Sequence, residues 1–472
     1  MTSLGSVELE KTRSLSLVRR LGPIDGASII VSNVIGSGIF IVPALVAGWI
    51  PNVWLMLAAW GVGGMLAFAG AMAYAELAVL RPHAGGEYVY LREAFGPTIG
   101  FLTGWTSFIA GFSGAIAASA VGFATFIGQL FPMVTDSLPL FQVPLVFFSL
   151  TVSSQTLVAL ALIAVLTVIH VRGLGPGRLV QNILAIAKVA VLVMLIVAGF
   201  SIGNGTIANF SVANQPVAGE LWLLALIPIM FSFSGWNAAA YLAGEIRDPE
   251  RNVPLAMALG TVTVVVIFLC LNVLYVFAMP LHEIAAVDVR VIDAVAGRLL
   301  GPEVATSIAA ASAVMIAASV SAMIMAGPRV YYAMARDGQF LSAAARVHPT
   351  FRTPTVAIVV QSLWSAVLVL VGTFDQLLLY TGFAVTLFAG TAVAALFVLR
   401  KNIQETSHPF RAWGYPVAPA VFVAVSAVMV VNYVWRQPLE SGVGIVCIVA
   451  GIPLYWMFKK TSRDKVDRKS VV

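Results

Sequence analysis

Twelve stretches of this chain are apolar for long enough to cross a bilayer, lying near 24–47, 53–80, 97–131, 155–171, 179–202, 219–246, 254–279, 303–335, 355–372, 374–400, 416–436 and 441–458. A membrane helix needs about 20 such residues. Hydrocarbon offers no water to satisfy backbone N–H and C=O groups, so stretches of this kind are forced into helices. Composition agrees: 60% of the residues are hydrophobic and only 10% charged, with a mean hydropathy of +0.95. A soluble domain carries roughly a quarter charged residues to keep its surface wet. No linker-like interval separates two cores, so a single all-α integral membrane bundle is expected.

Of the 472 residues, 27 are Lys or Arg against 21 Asp or Glu, a formal charge of +6. Their placement argues against nucleic acid, because no basic stripe is interleaved with aromatic residues. They cluster instead at the ends of apolar segments and in the two tails, and basic residues favour the cytoplasmic side. With both termini inside, 23 of the 27 fall in cytoplasmic segments, three (Arg290, Arg298, Arg436) outside, and Lys188 within a span. The expectation is a multi-pass protein of the cell membrane, with cytoplasmic tails at 1–22 and 460–472. The first apolar stretch continues as a full span and does not read as a cleavable signal. His83 to Phe95 is amphipathic and expected along the inner surface, and His282 to Leu300 reads as an external loop helix. Trp54, Trp435 and Tyr455 read as interfacial anchors.

Enzymatic chemistry finds no constellation. His83, His170, His282, His348 and His408 are scattered without metal-ligand spacing, so no metal, cofactor or catalytic residue is assigned. No phosphate-binding loop is present, which argues against ATP-driven pumping. Cys270 and Cys447 both lie inside apolar segments, so no disulfide-linked partner is expected.

Two stretches interrupt their spans. Asn33-Val34-Ile35-Gly36-Ser37-Gly38-Ile39-Phe40 lies midway through the first, and Phe231-Ser232-Phe233-Ser234-Gly235-Trp236-Asn237 midway through the sixth. Gly61, Gly63 and Gly64, by contrast, read as ordinary close-packing glycines. Backbone freed by a break survives at membrane depth only where it lines a polar cavity. Breaks at equivalent places in two halves point to a transporter site. Five spans per half reverse orientation, so 23–202 and 203–400 pair as inverted repeats, followed by two further helices over 401–459.

Such a site suits an α-amino acid. The N–H groups of Ser37, Gly38 and Ile39 open a half-helix whose positive end favours a carboxylate. The carbonyls of Ile35, Phe231 and Ser234 suit an ammonium, and Gly36 and Gly38 let the ligand approach the backbone. No acid lies near either break at membrane depth, which favours a neutral side chain. Lys188, the lone charge inside a span, sits about nine residues from its inner end, roughly 14 Å at 1.5 Å per residue. That is too deep for comfortable snorkelling. It is expected to face the interior and donate to freed carbonyls of the first span, as a fixed charge in place of sodium or as a proton carrier.

The stretches VIGSGIF (34–40), AYAEL (73–77), AGGEYVYLREAFGPTIGFLTGW (84–105), QNILAIAK (181–188), FSFSGWN (231–237) and GEIRDPERNVP (244–254) resemble the amino acid–polyamine–organocation superfamily, in particular its L-type amino acid transporter branch and bacterial relatives. The resemblance covers about residues 15–460. It implies twelve helices in a 5+5 inverted-repeat fold with discontinuous helices 1 and 6, and sodium-independent transport of neutral L-amino acids by alternating access. It also implies that Ile35, Ser37 and Gly38 hold the α-groups, that Phe231 gates the substrate, and that Lys188 bridges to the first helix. Asn237 is carried over as a pocket residue. Ser234 stands where family members selecting large side chains often have glycine, which argues against bulky substrates, whereas Gly111, Gly114 and Ala115 leave room. The eukaryotic branch pairs with a glycoprotein through an external cysteine, which this chain lacks. Alternatives are a polyamine or cationic amino acid antiporter and a non-transporting amino acid sensor. Lys188→Ala is expected to abolish or uncouple uptake with folding largely intact, and wild-type uptake rates in that variant would refute the assignment.

Overall fold

The computed structural model describes residues 17–36, 38–131, 139–144, 149–211, 215–288, 290–371, 374–401, 410–436 and 438–459. Among these residues the fold is all-α apart from one short antiparallel hairpin, β1 (Pro139–Pro144) with β2 (Ser149–Ser153). The helices run in order as α1 (Pro23–Val34), α2 (Gly38–Trp49), α3 (Val53–Leu80), α4 (Glu87–Phe95), α5 (Pro97–Thr106), α6 (Phe112–Leu130), α7 (Ser154–Val171) and α8 (Leu174–Ser201). They continue with α9 (Gly219–Ser232), α10 (Ala238–Tyr241), α11 (Pro249–Ala278), α12 (Leu281–Ala285), α13 (Val291–Leu300), α14 (Pro302–Ala326) and α15 (Pro328–Arg336). The last are α16 (Thr355–Val371), α17 (Phe374–Lys401), α18 (Val417–Arg436) and α19 (Pro438–Val449).

Local chemistry sets many of the boundaries. Proline opens α1, α5, α11, α14 and α15, where its missing N–H has no helical partner to lose. Asn52 caps α3 by accepting from the Leu55 N–H at 3.1 Å, and Ser153 and Thr156 form a reciprocal cap at the start of α7. Nine described helical segments are long and apolar enough to cross a membrane, and α1 with α2, bent by 48°, makes a tenth. The apolar helices α9 and α16 are shorter.

The core is built around α1, α11 and α14. Helix α11 packs on both α1 and α3, while α14 packs on α6, α8 and α1. Gly63 and Gly64 of α3 seat the side chains of Ile229 and Val265, as the packing reading expects.

Three expectations change. The 282–300 segment forms two helices, α12 and α13, joined where Arg290 pairs with Asp293 at 3.0 Å. Helix α4 is not a strip resting on a surface, because Tyr88 to Leu91 are buried. Tyr455 is buried against Phe101, whereas Trp54 and Trp435 are exposed as anchors would be.

One ion pair ties the end of the sixth span to α15. Arg329 donates to both Glu245 oxygens, at 2.7 and 3.0 Å, and both residues are fully buried. The Glu245 carbonyl also accepts the N–H groups of Arg20 and Leu21, stitching the chain ahead of α1 to the same point. Removing one partner of such a pair strands a buried charge, at a cost of about 3–5 kcal/mol. Glu245→Ala should therefore lower the melting temperature in detergent far more than the double variant Glu245→Leu/Arg329→Met. Equal losses in the two would show that the pair carries no such burden.

Candidate functional site: two facing helix breaks

Helix α1 leaves helical geometry at Ile35 (φ −72°, ψ 89°), and the chain resumes as α2 at Gly38. The break strands carbonyls at the negative end of α1. Lys188, fully buried on α8, answers them. Its Nζ donates to the Ser32 carbonyl at 2.8 Å, to the Ile35 carbonyl, and to Ser319 Oγ on α14 at 3.0 Å. The Ser319 hydroxyl itself lies 2.8 Å from the Ser32 carbonyl and 3.1 Å from that of Ile35. Three acceptors match the three donors of an ammonium.

The second break follows Ser232. Phe233 to Asn237 form turns before the single-turn α10, with Gly235 at φ 104°. A side chain on Gly235 would be strained and would sit 2.7 Å from Asn33 Nδ2. Gly38 meets this break directly, for a Cβ there would lie 2.9 Å from Ser232 Cα. The two unwound segments therefore face each other across van der Waals contact.

Between them lies a cavity of about 160 Å³ whose walls include Gly36, Gly38, Phe231, Ser234 and Asn237. It is smaller than the roughly 300–1,000 Å³ of sites for drug-sized ligands, so it suits a molecule of few heavy atoms. Gly111 and Ala115 line it on the side of α6, beside a π-helical turn at Ser107–Gly111. Thr106 also lines it, and its hydroxyl is buried with no hydrogen-bond partner among the described residues. A second cavity of about 260 Å³ lies between α2, α9 and α18, and Gly38 and Phe231 border both.

Much of this wall is legible in the sequence, and part of it is not. Gly36, Gly38, Phe231, Ser234 and Asn237 come together as expected, while Ser37 lies outside the described residues. Ile35 and Ile39 are fully buried behind the wall; Lys188 and Ser319 occupy the Ile35 carbonyl, and the Tyr275 hydroxyl lies 3.5 Å from that of Ile39. Lys188 faces the interior, not the lipid. The expectation of no acid near the breaks is overturned. Glu87, at the start of α4, lines the cavity and accepts from Tyr74 Oη at 2.6 Å and Asn237 Nδ2 at 2.7 Å. Counting by membrane depth hid it, because α4 is not itself a span. Gly85 and Gly86, both with positive φ, turn the chain inward immediately before it, and that glycine pair was the available signal.

Gly235→Ala should store about 1–3 kcal/mol of backbone strain at the second break. A lowered melting temperature together with weakened ligand binding is expected, and an unchanged variant would show that the break tolerates a continuous helix.

Known proteins bear on this geometry. The chain is 28% identical over 451 residues to the serine/threonine exchanger SteT of Bacillus subtilis, covering 95% of this chain and 99% of that protein. It is 27% identical over 464 residues to the human cystine/glutamate transporter, covering 97% and 89%. It is 28% identical over 450 residues to the mouse large neutral amino acids transporter small subunit 2, covering 94% and 81%. The sequence profile described as amino acid permease matches residues 21–458, a span that takes in both breaks, Lys188 and Glu87. A multi-pass bundle with two facing helix breaks, matched along nearly its whole length by that profile, belongs to the amino acid permease family.

Proposed function

We propose that this protein carries neutral L-amino acids across the cell membrane by alternating access, without sodium, as an exchanger or a proton-coupled permease. The observation that carries the reading is the small cavity between two unwound segments, with Lys188 tying down the first of them. The relatives support it, since their names describe exchange or transport of amino acids.

The chemistry divides between the two breaks. The substrate carboxylate lies at the positive end of the half-helix α2, against the N–H of Gly38 that opens it. The ammonium lies against carbonyls at the end of α9, those of Phe231 and Ser234. The Ile35 carbonyl serves Lys188, so that ammonium stands as a fixed charge where a sodium ion would otherwise be needed. Thr106 offers its unpartnered hydroxyl to a polar side chain. Phe231 separates the central cavity from the second one and acts as the gate between them. The size of the cavity and the Ser234 hydroxyl favour small substrates over bulky aromatic ones.

The full topology belongs to the same reading: twelve spans, residues 23–202 and 203–400 as inverted repeats, two further helices over 401–459, and both tails cytoplasmic. Basic residue placement supports the orientation. Cys270 and Cys447 both lie in helical segments, in keeping with transport by this chain with no disulfide-linked subunit.

Purified protein screened by thermal shift against amino acids and amines is expected to be stabilised by small neutral amino acids, because ligands of the folded form raise its apparent stability. Proteoliposomes preloaded with such a ligand should then show counterflow of its radiolabelled form. Binding without counterflow would make the protein a sensor, and counterflow of cationic amines alone would reverse the substrate assignment.

A further inference from the structure

Glu87, half-buried in the cavity wall, differs from two fully buried acids of the bundle. Glu76 pairs with Arg400 and accepts the Ala412 N–H at 2.7 Å, and Glu245 pairs with Arg329. No Lys, Arg or His among the described residues lies within ion-pair distance of Glu87. The groups around it are phenols and an amide: Tyr74 from α3, Tyr241 from α10, Asn237 from the second break and Tyr90 from its own helix. Nearby cations are committed elsewhere. Arg329 of α15 holds Glu245, Arg92 of α4 holds Asp337, and Lys188 holds the first break. Glu87 also lines the cavity itself.

A carboxylate held away from bulk water needs a compensating positive charge. A neutral zwitterion brings none, because its ammonium is taken up by the carbonyls of the break and balanced by its own carboxylate. The geometry points to Glu87 as a proton-binding residue of the transport chamber, occupied by a proton whenever the chamber holds a zwitterion with its inner end closed. The inference rests on the transport reading above and deepens it to proton-linked transport.

The step is a simple protonation. Tyr74 and Asn237 both donate to Oε1, and Oε2 takes a proton from hydronium, leaving water and the neutral acid. Burial pushes the Glu87 carboxyl above its ordinary range, although hydrogen bonds from Tyr74, Tyr241 and Asn237 pull it back. Asn237 and Tyr241 belong to the broken span, whereas Glu87 belongs to α4, so the contact between them spans the two parts that must separate for the chamber to open. Opening brings water to the carboxyl, stabilises its ionised form, and sends the proton to the same side as the substrate.

Glu87→Gln keeps the shape and removes the titration, and the test compares the full-length variant with wild type. In ligand-free protein, a raised carboxyl pKa contributes stability that is present at acid pH and lost as pH rises through it. Wild type should therefore lose melting temperature relative to Glu87→Gln as pH rises, and parallel curves would overturn the proposal. In proteoliposomes, wild-type counterflow of a neutral amino acid should fall with rising pH, by up to about tenfold per unit above the carboxyl pKa. Glu87→Gln should be flat, and retention of the wild-type slope would also overturn it. Proton uptake on ligand binding to wild type, read with a pH dye in weak buffer, supplies a check that needs no variant. Should no amino acid bind at all, the transport reading fails, while the ligand-free melting curves still decide whether Glu87 is the proton site.

Discussion

An unwound stretch of backbone inside a membrane bundle has to be held by something other than its own helix. Here that task falls on the ammonium of Lys188, placed in the break between α1 and α2 with two main-chain carbonyls and one hydroxyl around it. The carbonyl end of a half-helix is the negative end of its dipole, so a cation is stabilised there even without a carboxylate partner. Ser319 belongs to α14 and contacts the same carbonyls. Through this knot α1, α8 and α14 share one fixed point, and the second break is positioned by its contact with the first.

Rigid and movable parts follow from that point. Around it the bundle is closed by apolar packing of α11 and α14. At the end of the sixth span the chain changes character: single-turn helices, the positive-φ Gly235 and buried charges replace continuous helix. Glu245 with Arg329, and its main-chain carbonyl with Arg20 and Leu21, join three distant parts of the chain there. Hydrogen-bonded contacts of this kind are discrete: they are made or broken, which suits a transition between two arrangements better than a greasy seam does.

The cavity is polar by backbone and hydroxyl more than by charge. Its aromatic boundary, Phe231, stands between two voids and borders both of them. Trp236, next to the break, packs edge-on against Tyr74 and Phe422, and Tyr74 in turn donates to Glu87. Apolar support and the polar wall of the chamber are thus built from the same side chains.

Much of this was legible in the residues themselves. The helical bundle follows from apolar runs in a solvent that forbids unpaired backbone, a constraint that acts run by run and needs no knowledge of neighbours. The breaks follow from Gly36, Ser37 and Gly38 and from Ser234 and Gly235, because a cluster of poor helix formers has a local effect. The inward-facing Lys188 follows from its depth, since a charge so far from water has few places to go. Which groups meet was another matter. Hydropathy assigns residues to depth along a span, and a short helix between spans, such as α4, has no depth in that scheme. Glu87 therefore reads as part of an amphipathic surface segment, whereas Gly85 and Gly86 turn it into the chamber beside Asn237, 150 positions later in the chain. Ser319, placed 131 residues from Lys188, likewise carried no mark in its own neighbourhood. Contacts between residues so distant in sequence are set by how whole helices pack, a property of the assembled bundle and of no single stretch within it.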